Sequence, residues 1–179
     1  MFYVLLAEGF EEIEALTQVD ILRRAKINVM TVGVTGKKVT GSHGIEVKSD
    51  ISIKKALKAK DCEGVILPGG MPGTTNLKAS KEAAFLIEEA ANEGKMVAAI
   101  CAAPSVLGKL GLLEGKKAVC FPGHEKELTG AELAAEPVVI DGNIITSRSA
   151  GTAHLFAFAL VEYITGKSAD NLKSSMLYI

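Results

Sequence analysis

The chain has 179 residues, of which 48% are hydrophobic and 23% charged, and its formal net charge is −1. This predicts one globular domain over residues 1–179, and the near-neutral charge and lack of a membrane-length apolar run argue against nucleic-acid and membrane partners. Three cysteines, an odd number, in a chain whose opening residues do not resemble a signal peptide favour a reducing, cytoplasmic location.

Strands and helices alternate from the first residues. The hydrophobic patterns predict buried strands over 2–7, 28–34, 64–67 and 96–100, with short edge strands within 36–52. They predict helices over 11–25, 80–92, 105–110, 151–165 and 169–177, the second capped by Ser80. A hairpin is predicted over 137–147, around an Asp-Gly-Asn turn. This alternation predicts a doubly wound α/β sandwich with a mostly parallel sheet.

The fold class indicates where a ligand binds. In open parallel sheets, ligands bind outside the carboxyl ends of the strands. Three segments that are distant in sequence are therefore expected to be neighbours: residues 8–14 after the first strand, residues 68–73 after the third central strand, and Cys101 after the fourth.

One cysteine lies where an apolar strand meets the start of a helix. Cys101 is followed by Ala102-Ala103-Pro104 and then by a helical pattern. A strand, a tight turn and a helix form a nucleophile elbow, here with cysteine where hydrolases often use serine. Because backbone N–H groups and the positive end of a helix favour an anion, we expect the Cys101 thiol to ionise more easily than a free thiol.

An acid and two amides are the predicted companions of this thiol. Glu14 is flanked by apolar residues, which favour the protonated carboxyl and suit a general acid and base. Glu11 and Glu12 are better explained as carboxylates that complement a helix N-terminus. Because glycines allow close backbone approach, the N–H groups of Gly70 and Ala102 form a candidate oxyanion hole.

The other cysteines and the histidines show no spacing typical of a site. The dispersed histidines and cysteines predict no metal site. His154 lies in an apolar helical pattern and is expected to be structural, whereas the sequence leaves open whether His124 faces Cys101. Cys62 and Cys120 are expected to be inert packing residues.

Several segments together resemble the ThiJ/PfpI superfamily, and more narrowly its DJ-one branch. They follow one another in the expected order: residues 7–14, 19–25, 67–70, 98–104 and 146–152. The resemblance implies a flavodoxin-like, three-layer α/β/α sandwich, similar to class I glutamine amidotransferases, and a homodimer that needs no cofactor. It also implies that Cys101 is the reactive residue, paired with a protonated Glu14, with Gly70 and Ala102 as the oxyanion hole.

The resemblance also suggests accessory residues and shows two departures. Arg24 and His43 match positions that, in relatives, lie near the dimer seam and approach the site. Protease-like branches place a histidine directly after the cysteine, where this chain has Ala102. The animal branch has a histidine at the position of Phe121, so that His124 is the remaining candidate substitute.

These observations favour one activity and keep two others open. The resemblance implies a cysteine-dependent glyoxalase or deglycase acting on a small reactive carbonyl such as methylglyoxal, with Cys101 as nucleophile and Glu14 as acid and base. The alternative is a redox-sensing, stress-protective, chaperone-like protein in which Cys101 is oxidised to the sulfinate. A cysteine protease or amidase is the least favoured, because such enzymes need a base near the sulfur.

Overall fold

Eleven strands and seven α-helices alternate along residues 1–178, which the computed structural model describes. The strands are β1 (Phe2–Leu6), β2 (Val29–Gly33), β3 (Lys38–Thr40), β4 (Glu46–Lys48), β5 (Ile51–Ser52), β6 (Gly64–Leu67), β7 (Met96–Ile100), β8 (Lys117–Ala118), β9 (Glu132–Leu133), β10 (Val138–Asp141) and β11 (Ile144–Ser147). The helices are α1 (Glu12–Arg24), α2 (Ile53–Ala59), α3 (Gly73–Ala79), α4 (Lys81–Asn92), α5 (Pro104–Lys109), α6 (Ala153–Thr165) and α7 (Asp170–Ser175).

Seven of these strands form the central sheet, in the order β10-β11-β7-β6-β1-β2-β5. All neighbours pair in parallel except β10 and β11, which form the predicted hairpin. This confirms the doubly wound, flavodoxin-like α/β fold. Because β1, β6 and β7 are neighbours, their carboxyl ends meet at one point of the sheet edge, which is where a ligand is expected to bind.

Each face of the sheet is covered by its own hydrophobic layer. Side chains of β1 alternate between the faces: Tyr3 and Leu5 pack against residues of α2, α4 and α5, whereas Val4 and Leu6 pack against residues of α1 and α6. The strands next to the site are buried along their whole length, as expected for parallel strands between two helical layers. The site therefore lies on a rigid support.

Several predicted elements differ in detail. The edge region contains a separate antiparallel pair, β3 and β4, while only β5 joins the main sheet. The helices α2 and α3 and the short pair β8–β9 were not predicted, because each is too short to show a clear hydrophobic period. The Ser80 cap is confirmed, since its side chain accepts a hydrogen bond from Ala83 N at 3.1 Å. Within residues 1–178, the helices are too short or too polar to cross a membrane.

Candidate active site

Cys101 lies at the apex of the turn between β7 and α5. Its φ of +64° is in the left-handed region, which costs a non-glycine residue about 1 kcal/mol. The backbone is held there from both sides: Cys101 N donates to Ser147 O at 2.9 Å, and Phe121 N donates to Cys101 O at 2.8 Å. The side chain is half-buried, so that the elbow presents the sulfur at the carboxyl edge of the sheet.

Glu14 lies in the first turn of α1, on the face that packs against the sheet. The residue is fully buried. Its Oε2 accepts a hydrogen bond from Gly69 N at 2.8 Å, whereas its Oε1 has no hydrogen-bond partner within residues 1–178. A buried carboxyl with one free oxygen is well placed to hold or release a proton.

Gly69 lies between the acid and the thiol. A Cβ built on it would lie 2.8 Å from both Cys101 Cβ and Glu14 Oε2. Any side chain at this position would therefore push into the contact between the two groups. Sequence reasoning named Gly70 of this loop, for the oxyanion hole, and missed Gly69; the available signal was that two successive glycines follow a buried strand.

Two backbone amides approach the sulfur. Hydrogen bonds from the Gly70 and Ala102 amides act to lower the pKa of Cys101. Gly70 has a φ of +89°, and a Cβ there would lie 2.4 Å from Glu11 N, so that only glycine fits. The amides predicted as an oxyanion hole are thus placed beside the predicted nucleophile.

The pKa values of Glu14 and Cys101 depend on each other. Burial raises the pKa of the Glu14 carboxyl to about 7, although hydrogen bonds from Cys101 and from the Gly69 amide oppose the rise. Burial, together with the negative charge of Glu14 and a hydrogen bond to it, raises the pKa of the Cys101 thiol to about 12. The amides beside the sulfur do not outweigh these effects.

The expectation of an easily ionised thiol is therefore wrong while Glu14 is charged. Two negative charges in one buried site repel each other, so the protons leave the pair in two separate steps. Around neutral pH the Glu14–Cys101 pair loses its first proton, and the second proton stays on one of the two groups. The sulfur can ionise at this stage only when that proton lies on Glu14.

The three candidate accessory residues have other partners within the chain. His124 Nδ1 lies 2.7 Å from Glu127 Oε1, and Glu127 also pairs with Lys78, so the ring is engaged with this carboxylate. Arg24 Nε pairs with Asp20 at 2.7 Å, in the last turn of α1. It lies ten residues beyond Glu14, or about 15 Å along the helix axis.

His43 belongs to a group of side chains beside the entry to α1. Its Nδ1 lies 3.0 Å from Glu12 Oε2 and 3.4 Å from Glu11 Oε2. This is a group within the described chain whose ligand atoms lie close enough together, within 4.8 Å, to hold a metal ion. These atoms already contact one another. The other oxygen of Glu12, Oε1, accepts hydrogen bonds from the backbone amides of His43 and Ile45.

The sheet order, the elbow and the thiol–acid pair define a class: a flavodoxin-like α/β protein whose half-buried cysteine meets an acid from the first helix. The chain belongs to the DJ-1/PfpI family, whose sequence model matches residues 2–163.

Individual relatives are similar along most of their length. The chain is 37% identical to the protein dj-1beta of Drosophila melanogaster, over 92% of this chain and 89% of that protein. It is 31% identical to a glutathione-independent glyoxalase of Caenorhabditis elegans, over 92% and 88%. It is 30% identical to a deglycase of Pyrococcus horikoshii, over 80% and 87%. A crystal structure of a cysteine-to-alanine mutant of a DJ-1 superfamily protein from Salmonella typhimurium superposes with a TM-score of 0.95 at 33% identity, covering 99% of this chain and 98% of that one.

Proposed function

We propose that this protein is a cofactor-free, cysteine-dependent enzyme of the glyoxalase or deglycase type that acts on small 2-oxoaldehydes such as methylglyoxal. The observation that carries the proposal is the contact between a half-buried thiol and a fully buried carboxyl with a pKa of about 7, beside two amides. Two relatives, 31% and 30% identical to this chain, bear the names glyoxalase and deglycase respectively, which supports the same class of enzyme.

The first step forms a bond between sulfur and the aldehyde carbon. The Cys101 sulfur adds to the aldehyde while its proton passes to the Glu14 carboxylate, and the aldehyde oxygen becomes an alkoxide near the Gly70 and Ala102 amides. Glu14 then returns the proton to this oxygen. The product is a hemithioacetal, and Glu14 is again ionised.

The second stage moves one proton between neighbouring carbons. Glu14 removes the C–H proton of the former aldehyde carbon to give an enediolate, and the hydroxyl proton on that carbon passes to the former ketone oxygen. Glu14 then returns its proton to the adjacent carbon, the former ketone. The result is a thioester of a 2-hydroxy acid. Water then adds its hydroxyl to the acyl carbon and its proton to the sulfur, which releases the 2-hydroxy acid and restores the thiol.

A carboxyl with a pKa near 7 suits both directions of these transfers, because it is present in both protonation states at neutral pH. No imidazole is needed for any step. The replacement of histidine by Ala102 and Phe121 is thus compatible with carbonyl isomerisation. It is unfavourable for peptide or amide cleavage, in which histidine activates the nucleophile as a base and then, as the conjugate acid, protonates the leaving amine.

The test is the conversion of methylglyoxal to lactate, followed by NMR. We expect Cys101→Ser and Glu14→Gln each to lower kcat/KM by about a hundredfold or more, since each removes a group that takes part in bond formation or proton transfer. Cys62→Ser is the matched control, because Cys62 is a buried cysteine that precedes β6, at the opposite end of the sheet. Turnover by Cys101→Ser at the wild-type rate would refute the proposal.

A second candidate function is redox sensing with stress protection. Cys101 is the one cysteine of the three that is not buried, which favours its oxidation to sulfenic and then sulfinic acid. A protonated Glu14 would donate a hydrogen bond to the sulfinate. Mass spectrometry after mild peroxide treatment should find oxidation at Cys101 before Cys62 or Cys120; equal oxidation of all three would contradict it.

We further propose that the protein forms a homodimer through α1. Ile13 and Leu16 are exposed apolar residues beside Glu14, which is typical of a surface that binds another chain. Arg24 and His43 are proposed as accessory residues only within such a dimer. Light scattering should show a dimer that Ile13→Glu weakens, whereas Ile140→Glu, which changes an equally exposed isoleucine on β10, should not. A monomeric wild type would refute this.

A further inference from the structure

Gln18 is a buried polar residue one helical turn beyond Glu14. It is fully buried on the same face of α1. Its Nε2 donates a hydrogen bond to Ala153 O at 3.0 Å, at the start of α6. This bond fixes which end of the amide is the nitrogen, and leaves the oxygen, Oε1, without a hydrogen-bond partner.

Unpartnered buried side-chain atoms are rare in the described residues, and two of them belong to residues one helical turn apart on α1. Within residues 1–178, three buried side-chain oxygens lack a partner: Glu14 Oε1, Gln18 Oε1 and Thr74 Oγ1. Residues four apart on a helix are neighbours, so the first two share one buried surface. Leaving a buried acceptor unsatisfied is unfavourable, and two adjacent acceptors can be satisfied at once if one of them carries a proton.

We propose that Gln18 is a positioning residue for the catalytic proton: its Oε1 accepts a hydrogen bond from the Oε1 proton of protonated Glu14. The other carboxyl oxygen stays on the Gly69 amide. When the proton moves from the Cys101 sulfur to Glu14 Oε1, the negative charge moves from the carboxylate to the sulfur, and Gln18 stabilises the product of this transfer. Gln18 thus favours the thiolate form of the pair.

The titratable groups around Glu14 show what the neutral Gln18 adds in favouring the acid form. The titratable groups that act on it are Cys101, after β7, and Glu11, just before α1. Helix α6 packs on α1, and the residue that follows the Gln18 partner Ala153 is the titratable His154. Its side chain is exposed and stacks on Tyr178. None of the groups acting on Glu14 is a cation, so a hydrogen-bond acceptor for its proton adds to burial in favouring the acid form.

The inference rests on the proposed function for its purpose, but its test uses alkylation of Cys101 rather than turnover. The rate of reaction with iodoacetamide is measured from pH 5 to 10, with mass spectrometry to follow the Cys101 peptide. Gln18→Met keeps the length of the side chain and removes the acceptor. We expect alkylation at pH 8 to slow about fivefold, the effect of one typical buried hydrogen bond on a proton equilibrium.

Two controls separate this role from a structural one. Thr74→Val removes the third unpartnered oxygen, which lies on α3 rather than on α1, and should leave the pH profile unchanged. In a Glu14→Gln background, Gln18→Met should cause no further slowing, because the proton it acts on is absent. Should Gln18→Met fail to fold, as judged by circular dichroism, Gln18→Asn withdraws the oxygen while keeping an amide and should slow alkylation similarly.

An unchanged pH profile in the Gln18 variant would overturn the proposal, as would equal slowing in the Glu14→Gln background. Faster alkylation would also overturn it, because Gln18 would then stabilise the ionised carboxyl, for instance through a bridging water. If the profile responds as expected while methylglyoxal is not consumed, the positioning role of Gln18 stands and the proposed enzymatic function fails.

Discussion

Glu14→Gln should make the protein more stable at neutral pH and reveal what the buried acid costs. The pKa of this carboxyl is raised from 4.5 to about 7 in the folded protein. Between these values the folded state binds a proton more tightly than the unfolded chain does, so stability falls as pH rises from 4.5 to 7. The shift lowers the free energy of unfolding by about 3 kcal/mol, and this loss is complete above pH 7.

Glutamine keeps the shape of the side chain and cannot ionise. The difference in unfolding free energy between Glu14→Gln and the wild type should therefore change by about 3 kcal/mol in favour of the variant between pH 4.5 and 7.5. Urea unfolding at several pH values and a fixed protein concentration measures this difference. Changes in other groups, such as His43, whose pKa is raised mainly by its hydrogen bond to Glu12, cancel in the comparison.

Glu12→Gln is a control of opposite sign on the same helix. Burial acts to raise the pKa of Glu12, but hydrogen bonds from His43 and from backbone amides outweigh it, and the pKa is lowered. A lowered pKa contributes stability that is present above the unfolded value and lost as pH falls. The wild type should gain on Glu12→Gln as pH rises to the unfolded Glu12 value of 4.5, and should lose part of this gain as pH rises further through the raised pKa of His43, whose shift depends on Glu12. A Glu14→Gln difference that does not depend on pH would refute the reasoning.

Three further predictions concern the backbone and the accessory histidine. Gly69→Ala should destabilise the protein by about 1–3 kcal/mol and slow Cys101 alkylation, because the added Cβ would lie 2.8 Å from both Cys101 Cβ and Glu14 Oε2. Gly151→Ala is the control and should do neither, because its Cβ would meet only Ser149 Oγ, at 3.7 Å. Cys101→Gly should be about 1 kcal/mol more stable than Cys101→Ala in thermal or urea unfolding, because φ at this position is +64°; equal stability would mean the turn is unstrained. His124→Ala should leave the pH profile of alkylation unchanged, because the ring is bound to Glu127, and a changed profile would place the imidazole in the site.

The parts of the site that the sequence predicted depend on periodicity and on the rules of parallel sheets. Cys101 follows a run of buried apolar residues and precedes a helix, so its position at the sheet edge follows from the strand itself. The sequence predicted that Glu14 favours the protonated form, and burial does raise its pKa, but two of the apolar neighbours behind that prediction, Ile13 and Leu16, are exposed. The meeting of the two was predicted because parallel strands end at the same edge.

Other features depended on contacts that spacing does not show. Which of two successive glycines lies between the acid and the thiol depends on the path of the loop, and the sequence indicated only the oxyanion-hole glycine, Gly70, and not Gly69. The high pKa of Cys101 comes from burial and from the charge of Glu14, whereas the sequence suggested only the helix end and the amides. The direction of His124 depends on Glu127, three residues later, and on a lysine from α3.

The pH dependence of Cys101 alkylation, with and without Glu14→Gln, tests most directly whether one proton is shared by the thiol and the acid. We expect the wild-type rate to rise in two steps, the first with a midpoint near pH 7, and Glu14→Gln to abolish this first step. A single step near the free-thiol value of about 8.5, the same in both proteins, would contradict it.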